Sequence, residues 1–417
     1  MGNTKKKMAN PKPDADAGFI KRHKAPFECV ALLLQGGGAL GAYQAGVYQA
    51  LSEAGLEPDW VAGISIGAIN AAIIAGNAPD QRVSKLRQFW ELITQDPFQY
   101  YPAQIKSLIT RNETQYQLLN LMSTINTIIS GIPGFFKPRP VTPWLELPGT
   151  VAATSFYDFT SLKATLEQLI DFDRLNNDDI RFSIGAVNVK SGNFTDFDNK
   201  THRITAEHVM ASSALPPGFS AVEIGGEDFW DGGLISNTPL EWVLESISYF
   251  DTLIFQVDLW SADGNFPQNM ADVLTRQKDI QFSSRTRANT DRFREQHQLR
   301  YTISSLLEKL PDNLQQLDEV KLLSARADRK VYNIVHLIYH NKFYEGYSKD
   351  FEFSRLSMEA HWESGYNDTV KTLSHPEVLE RPDKRIGLAV FDFSREKESK
   401  TASNSSAYPL KSKIDKQ

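Results

Sequence analysis

The sequence predicts an α/β fold with a mainly parallel central sheet. Two short apolar runs, residues 28–35 and 60–64, are each followed by a helical stretch, and glycines break the chain between them. Strand–helix–strand–helix order with short connections is what parallel sheets require, and their strands read as near-continuous apolar runs. The chain has 417 residues, of which 41% are hydrophobic and 23% charged, a globular composition with length for two or three domains.

Order is expected to begin near Phe27. After the first strand, Gly36-Gly37-Gly38 ends the run, and residues 39–54 form a helix stopped by Gly55. Glu57-Pro58-Asp59 turns the chain into the second strand, which leads to a second apolar helix over 66–75, closed by Gly76 and Asn77. Residues 182–189 and 193–197 flank Ser191-Gly192 as a hairpin, and 221–224 and 228–230 flank Gly225-Gly226 likewise. Residues 253–259 and 331–339 are further apolar strands. Helices are expected at 161–169, 206–213, 239–246 and across 271–310.

Residues 96–149 do not fit the sheet. Tyr100, Tyr101, Phe135, Phe136 and Trp144 alternate there with prolines, and a helical stretch runs near 116–129. So long a connection is either an inserted helical subdomain or a lid over an apolar substrate site. The expected organisation is a basic disordered arm over 1–26, a catalytic domain over 27–261, a helix-and-strand extension over 262–394 packed on the core, and a disordered Ser- and Lys-rich tail over 395–417.

Charge and cysteine content narrow the function. Forty-five basic against 51 acidic residues leave a net charge of −6, which argues against a dedicated nucleic-acid binder. The single cysteine, Cys29, rules out an intrachain disulfide and a Cys-rich zinc site. The lysine-rich start lacks the apolar stretch of a cleaved secretory signal, and Lys6 stands where a myristoylation motif wants Ser or Thr. No run offers the ~20 apolar residues of a membrane span. These features predict a cytoplasmic protein, peripheral to a membrane or lipid surface, and they leave the oligomeric state open.

The most informative segment is Gly63-Ile64-Ser65-Ile66-Gly67, placed where an apolar strand meets an apolar helix. In that context G-x-S-x-G is a sharp turn that thrusts the serine hydroxyl outward, with glycines removing side chains that would clash across it. Upstream, Gly36, Gly38 and Gly41 match G-x-G-x-x-G. Such a loop serves either a dinucleotide pyrophosphate or a developing oxyanion. Asp59 has roughly the spacing of a ribose-binding acid, yet it precedes the second strand, which ends instead on the serine turn; the oxyanion reading is preferred. Asp231-Gly232-Gly233 closes another strand, and carboxylates at strand ends in α/β sheets face the ligand crevice. Residues 211–218, Ala-Ser-Ser-Ala-Leu-Pro-Pro-Gly, end a helix on small residues and a double proline.

Taken together, the glycine-rich loop, the G-x-S-x-G serine, the small-residue helix end and the downstream D-G-G resemble the patatin-like acyl hydrolases over roughly 28–260. The resemblance implies a three-layer α/β/α sandwich and a lipid acyl-ester hydrolase, a phospholipase A or related lipase, that uses no metal or cofactor. It implies Ser65 as nucleophile, Asp231 as its base and an oxyanion hole from the Gly36-Gly37-Gly38 loop, the amides of Gly37 and Gly38 above all. Gly41, Gly63, Gly67, Gly232 and Gly233 are the supporting motif positions, and the expected partner is a lipid or acyl ester. The region after 262 looks like the extension of a bacterial subgroup. One departure is Leu40, where many members carry Arg or Lys; stabilisation is then left to backbone amides.

None of the eight histidines sits in a recognisable catalytic motif, and His336 and His340 are read as strand or core residues. The resemblance gives the serine proton to a carboxylate, and burial beside Phe229 and Trp230 would lift the Asp231 pKa toward a useful range. The competing readings are a catalytically silent lipid- or granule-surface binding protein of the same fold, and a nucleotide-binding oxidoreductase built on residues 36–41.

Overall fold

A computed structural model describes residues 25–94, 113–177, 180–246, 250–283, 286–324, 326–327, 329–342, 345–383 and 387–393. The expected N-terminal arm up to residue 24, the expected tail over 395–417 and residues 96–112 of the inserted segment lie outside these. The helices are α1 (Ala42–Glu53), α2 (Ile66–Ala75), α3 (Pro79–Ile93), α4 (Glu113–Ser130), α5 (Ser161–Leu169), α6 (Phe172–Asn176), α7 (Ala206–Ser212), α8 (Leu240–Ser246), α9 (Met270–Ser283), α10 (Thr286–Leu307), α11 (Asp318–Ser324) and α12 (Arg355–Leu373). The strands are β1 (Cys29–Leu34), β2 (Trp60–Gly63), β3 (Lys137–Pro138), β4 (Tyr157–Asp158), β5 (Arg181–Asn188), β6 (Phe194–Asp198), β7 (Val222–Ile224), β8 (Glu227–Asp231), β9 (Thr252–Asp258), β10 (Tyr332–Ile338) and β11 (Leu388–Asp392).

Nine strands form one sheet in the order β11-β10-β9-β1-β2-β5-β8-β7, with β6 also on β5, while β3 and β4 make a separate ribbon. From β11 to β5 every pairing is parallel, and the pairings of β5 with β6, β5 with β8 and β7 with β8 are antiparallel. This is the expected α/β/α sandwich with a mainly parallel sheet. Successive β1 side chains enter opposite layers. Val30, Leu32 and Leu34 join the larger apolar cluster with α1, α2 and α3 residues, whereas Ala31 and Leu33 join a smaller one with Leu240, Val243 and Phe293. The chain winds away from β1 in both directions, toward β2 on one side and β9 on the other, which opens a crevice at the carboxyl ends of these strands.

The pairings along β5 bring distant residues together. Gly63 of β2 lies opposite Ile184, and β6 covers the other flank of β5 there. Two residues further, β8 takes over the flank that β2 has left, with Asp231 opposite Ala186. At about 3.3 Å per strand residue, the end of β8 falls just beyond the end of β2.

The segment past 262 shares this sheet and core. β10 pairs with β9 over seven residues, and α12 packs directly against α1. Two glycines permit that approach: a Cβ on Gly46 would run into the Trp362 carbonyl, and one on Gly365 into that of Tyr43. The helical stretch expected across 271–310 holds α9 and α10. The sequence reading passed over α3, α12 and β11. Among the described residues no helix is long and apolar enough to cross a membrane.

Gly46→Ala and Gly365→Ala should each destabilise the whole protein by roughly 1–3 kcal/mol, because backbone carbonyls cannot yield as side chains do. Urea denaturation with a single shared transition would show it, and an unchanged midpoint would refute the close packing.

Candidate active site

β1 and β2 deliver their following loops to the same crevice. Ser65 is the one non-glycine residue with positive φ among the described residues, at φ 57° and ψ −126°. A Cβ on Gly63 would meet the Gly67 carbonyl, and one on Gly67 would meet that of Leu34, so the turn closes only because both are glycine. The small-residue end of α7 holds the turn in place. The Ser65 N–H donates to the Ser212 carbonyl at 3.1 Å and toward its hydroxyl at 3.2 Å, while the Ser213 hydroxyl donates to the Ser65 carbonyl at 3.1 Å. Ser212 in turn donates to the Gly185 carbonyl of β5 at 2.7 Å. Larger side chains at these positions would push α7 away from Ser65.

Asp231, at the last position of β8, is 1% exposed. Its Oδ1 accepts the Gly233 N–H at 2.8 Å, and the Ser65 side chain lies close enough to exert a lowering pull on its pKa. Burial pushes its pKa up to about 7, against the smaller effects of the Gly233 N–H and the Ser65 side chain. Gly232 has a packing reason as well, since a Cβ there would meet the Gly185 carbonyl at 2.6 Å.

The glycine-rich loop covers the serine from the β1 side, where a Cβ on Gly36 would touch the Asn237 side chain and the Ser65 Cβ. Its carbonyl accepts from Asn237 Nδ2 at 3.0 Å and from Trp260 Nε1 at 2.8 Å. The Gly36 N–H donates to the Asn237 carbonyl at 3.3 Å, which corrects its place among the oxyanion donors. The amides of Gly37 and Gly38 have no acceptor among the described residues. Gly38 has φ 55°, and a Cβ on it would strike the Asp350 carbonyl; Gly41 lies against Ile66 and Trp90. Leu40, at the position where the resembled family often carries Arg or Lys, is fully buried and serves packing.

Buried Gln35 braces the loop, accepting the Leu259 and Trp260 N–H groups at 2.6 and 3.1 Å and donating to Thr238 at 3.0 Å. Asp59 sits at the opposite end of β2, accepting the Val30 N–H at 2.8 Å, out of reach of any ligand on the glycine loop. The dinucleotide reading therefore loses its ribose-binding acid.

Ser65, Asp231 and the three loop glycines line one cavity of about 690 Å³, its open mouth included. Seven of its eighteen lining residues are aromatic. Phe135, Phe136 and Phe219 stand on one side; Trp260, Phe282 and Phe353 also line it. No histidine among the described residues lines it. Phe282, Asp350, Phe351 and Phe353 lie beyond residue 261, so the cavity takes in the segment that the sequence reading set outside the catalytic domain. Asn237 and Trp260, which hold Gly36, were also missed; neither lies in a motif, and each acts through a contact spanning more than two hundred residues of sequence.

A patatin-like phospholipase family model matches residues 32–244, and a second, described as patatin phospholipase, matches residues 280–385. No curated protein matches the chain. Among solved structures, the crystal structure of VipD from Legionella pneumophila is similar at 15% identity and a TM-score of 0.38, over 88% of this chain and 72% of that one.

A carboxyl with a folded pKa above its unfolded value holds its proton more tightly in the native chain. Ionisation of Asp231 therefore withdraws stability as pH rises from the unfolded value of about 3.9 to about 7. Asp231→Asn should melt above the wild type at pH 8, with the gap narrowing toward pH 5. A variant melting below the wild type at pH 8 would contradict the buried charge.

Proposed function

Since this chain belongs to the patatin-like phospholipase family, a family of lipid acyl hydrolases, we propose that it cleaves acyl esters of lipids through Ser65 and Asp231. The observation that carries the reading is a serine on a strained turn that shares a cavity with a buried carboxyl whose pKa is pushed up to about 7. The Ser65 proton passes to the Asp231 carboxylate as Oγ attacks the acyl carbonyl carbon. Gly233 holds Oδ1, which leaves Oδ2 for the proton. The carbonyl oxygen, now negative, accepts from the Gly37 and Gly38 amides, which need no reorganisation at that moment.

Collapse of the tetrahedral intermediate breaks the ester bond, and Asp231 returns its proton to the departing alkoxide. The acyl group is then an ester of Ser65. A water gives its proton to Asp231 and attacks that ester, releasing the fatty acid and restoring the serine. A base with a pKa near the working pH combines a useful ionised fraction with enough basicity to accept the proton. The aromatic wall suits an acyl chain, since apolar surface with a few fixed polar groups is what orients such a ligand. This chemistry needs no metal or cofactor.

Ser65→Ala should abolish p-nitrophenyl ester turnover and labelling by a fluorophosphonate probe while the fold persists; full activity in that variant would remove the serine from the mechanism. For the wild type, kcat/KM should rise with pH and level off above about 7, as the Asp231 carboxylate forms. A profile flat from pH 5 to 8 would argue against this base. Gly38→Ala keeps its N–H but puts a Cβ against the Asp350 carbonyl, which should shift the loop amide out of place and lower kcat by up to about 10²–10³-fold, the scale of losing one oxyanion donor.

A further inference from the structure

The Gly36 carbonyl is held twice. Asn237 Nδ2 donates to it at 3.0 Å and Trp260 Nε1 at 2.8 Å, which occupies both lone pairs of the oxygen. The two donors come from separate parts of the sheet, Asn237 after β8 and Trp260 after β9. One donor satisfies a buried carbonyl. A second fixes its direction.

That direction matters because of the amide that follows. The Gly36–Gly37 peptide is trans. In a trans peptide the carbonyl and the next N–H share one plane and point opposite ways. Holding the Gly36 carbonyl toward Asn237 and Trp260 therefore turns the Gly37 N–H away from them, where it meets no acceptor among the described residues. Glycine on both sides of this peptide makes the reverse orientation accessible. After such a flip, a developing oxyanion would face a carbonyl lone pair where it needs a donor. The Gly38 amide has support from its own turn, because the Gly37 carbonyl accepts the Leu40 N–H at 3.2 Å. The Gly37 amide depends on the distant pair.

Trp260 is itself firmly held. It is 2% exposed, and its backbone N–H donates to Gln35 Oε1 at 3.1 Å. Its ring packs on Phe282 with centroids 5.1 Å apart, and Lys349 Nζ lies 4.7 Å from the ring centroid, paired with Asp279 at 2.5 Å. A cation against an indole face is attracted by the ring and strengthens its N–H as a donor. Asn237 is tethered by a second bond from Nδ2 to the Phe282 carbonyl at 3.3 Å. We propose that Trp260 and Asn237 are positioning residues of the hydrolytic site, which pin the Gly36 carbonyl and so keep the Gly37 N–H turned toward the oxyanion. Both act through the glycine loop, and the proposal rests on the lipid-hydrolase reading.

The test sets Trp260→Phe, which keeps an aromatic ring and loses the donor, and Asn237→Ala beside the wild type and Ser65→Ala. Each positioning variant should lower kcat on a p-nitrophenyl ester about tenfold, the weight of one hydrogen bond, with KM unchanged. Affinity for an alkylboronic acid, whose tetrahedral adduct on Ser65 carries an oxygen at the oxyanion position, should fall by the same factor. The pH midpoint of kcat/KM near 7, which reports Asp231, should not move. Unchanged kcat and boronate affinity in either variant would overturn the proposal. So would a rise in KM together with a shifted pH midpoint, the pattern of a generally loosened site. Asn237 is half-buried, so Asn237→Ala decides by the same readings if Trp260→Phe does not fold. An active wild type with unaffected variants sinks the positioning role alone. A wild type that matches Ser65→Ala on the ester and binds no boronate sinks the hydrolase reading, and the positioning role with it.

Discussion

The site depends on a backbone turn that the chain would not adopt without glycine on both sides. Ser65 occupies φ and ψ values that cost an ordinary residue on the order of 1–3 kcal/mol, so the surroundings must hold it there. They do so on three sides. Leu34 and Gln35 press against Gly67, the last turn of α7 bonds both ends of the Ser65 peptide, and Gly36 lies over its side chain. A hydroxyl fixed this way points into the crevice before any substrate arrives, which is how orientation lowers a barrier.

Burial of Asp231 is the counterpart. The fold accepts a carboxyl that resists ionisation where a neutral side chain would be more comfortable, a conflict between stability and site chemistry that local packing alone would not produce. The long-range clamps share this logic. Gln35 joins the glycine loop to the strand end at Leu259 and Trp260, and Trp260 joins it again through Gly36. Lys278 pairs with Asp350 at 2.5 Å and Lys349 with Asp279 at 2.5 Å, so two ion pairs, the second of them buried, tie α9 to the wall carrying Phe351 and Phe353. The C-terminal segment is thus structural material of the cavity, and the glycine pair between α1 and α12 anchors it.

Much of this was readable in the amino-acid sequence, for a physical reason. Glycines punctuate the first two strand–helix units, and α2 has the expected bounds because Ser65 and Gly76 delimit it. Both hairpins were visible as apolar runs about a glycine-containing turn. The helix α3 was legible but overlooked: Leu86, Phe89, Trp90 and Ile93 are buried at helical spacing behind Pro79. In contrast, α12 buries Ser357, Gly365, Thr369 and Thr372 beside Met358 and Trp362, a face with no apolar stripe to find. At the site, local motifs pointed to Ser65 and Asp231. What occupies the Gly36 amide was not legible, since its acceptor is Asn237, far along the chain. The wall around Asp350 was hidden in the same way.

The central claim is that the buried carboxyl of Asp231, beside Ser65, titrates near neutral pH, and a direct titration of that carboxyl tests it. Carbon-13 NMR of aspartate-labelled protein, with the Asp231 signal assigned by difference from an Asp231→Asn sample, reads the midpoint. The account predicts a midpoint near 7 that moves upward in a Ser65→Ala background, because the Ser65 side chain favours the ionised form. A midpoint at the ordinary aspartate value of about 3.9, unmoved by loss of the hydroxyl, would contradict it.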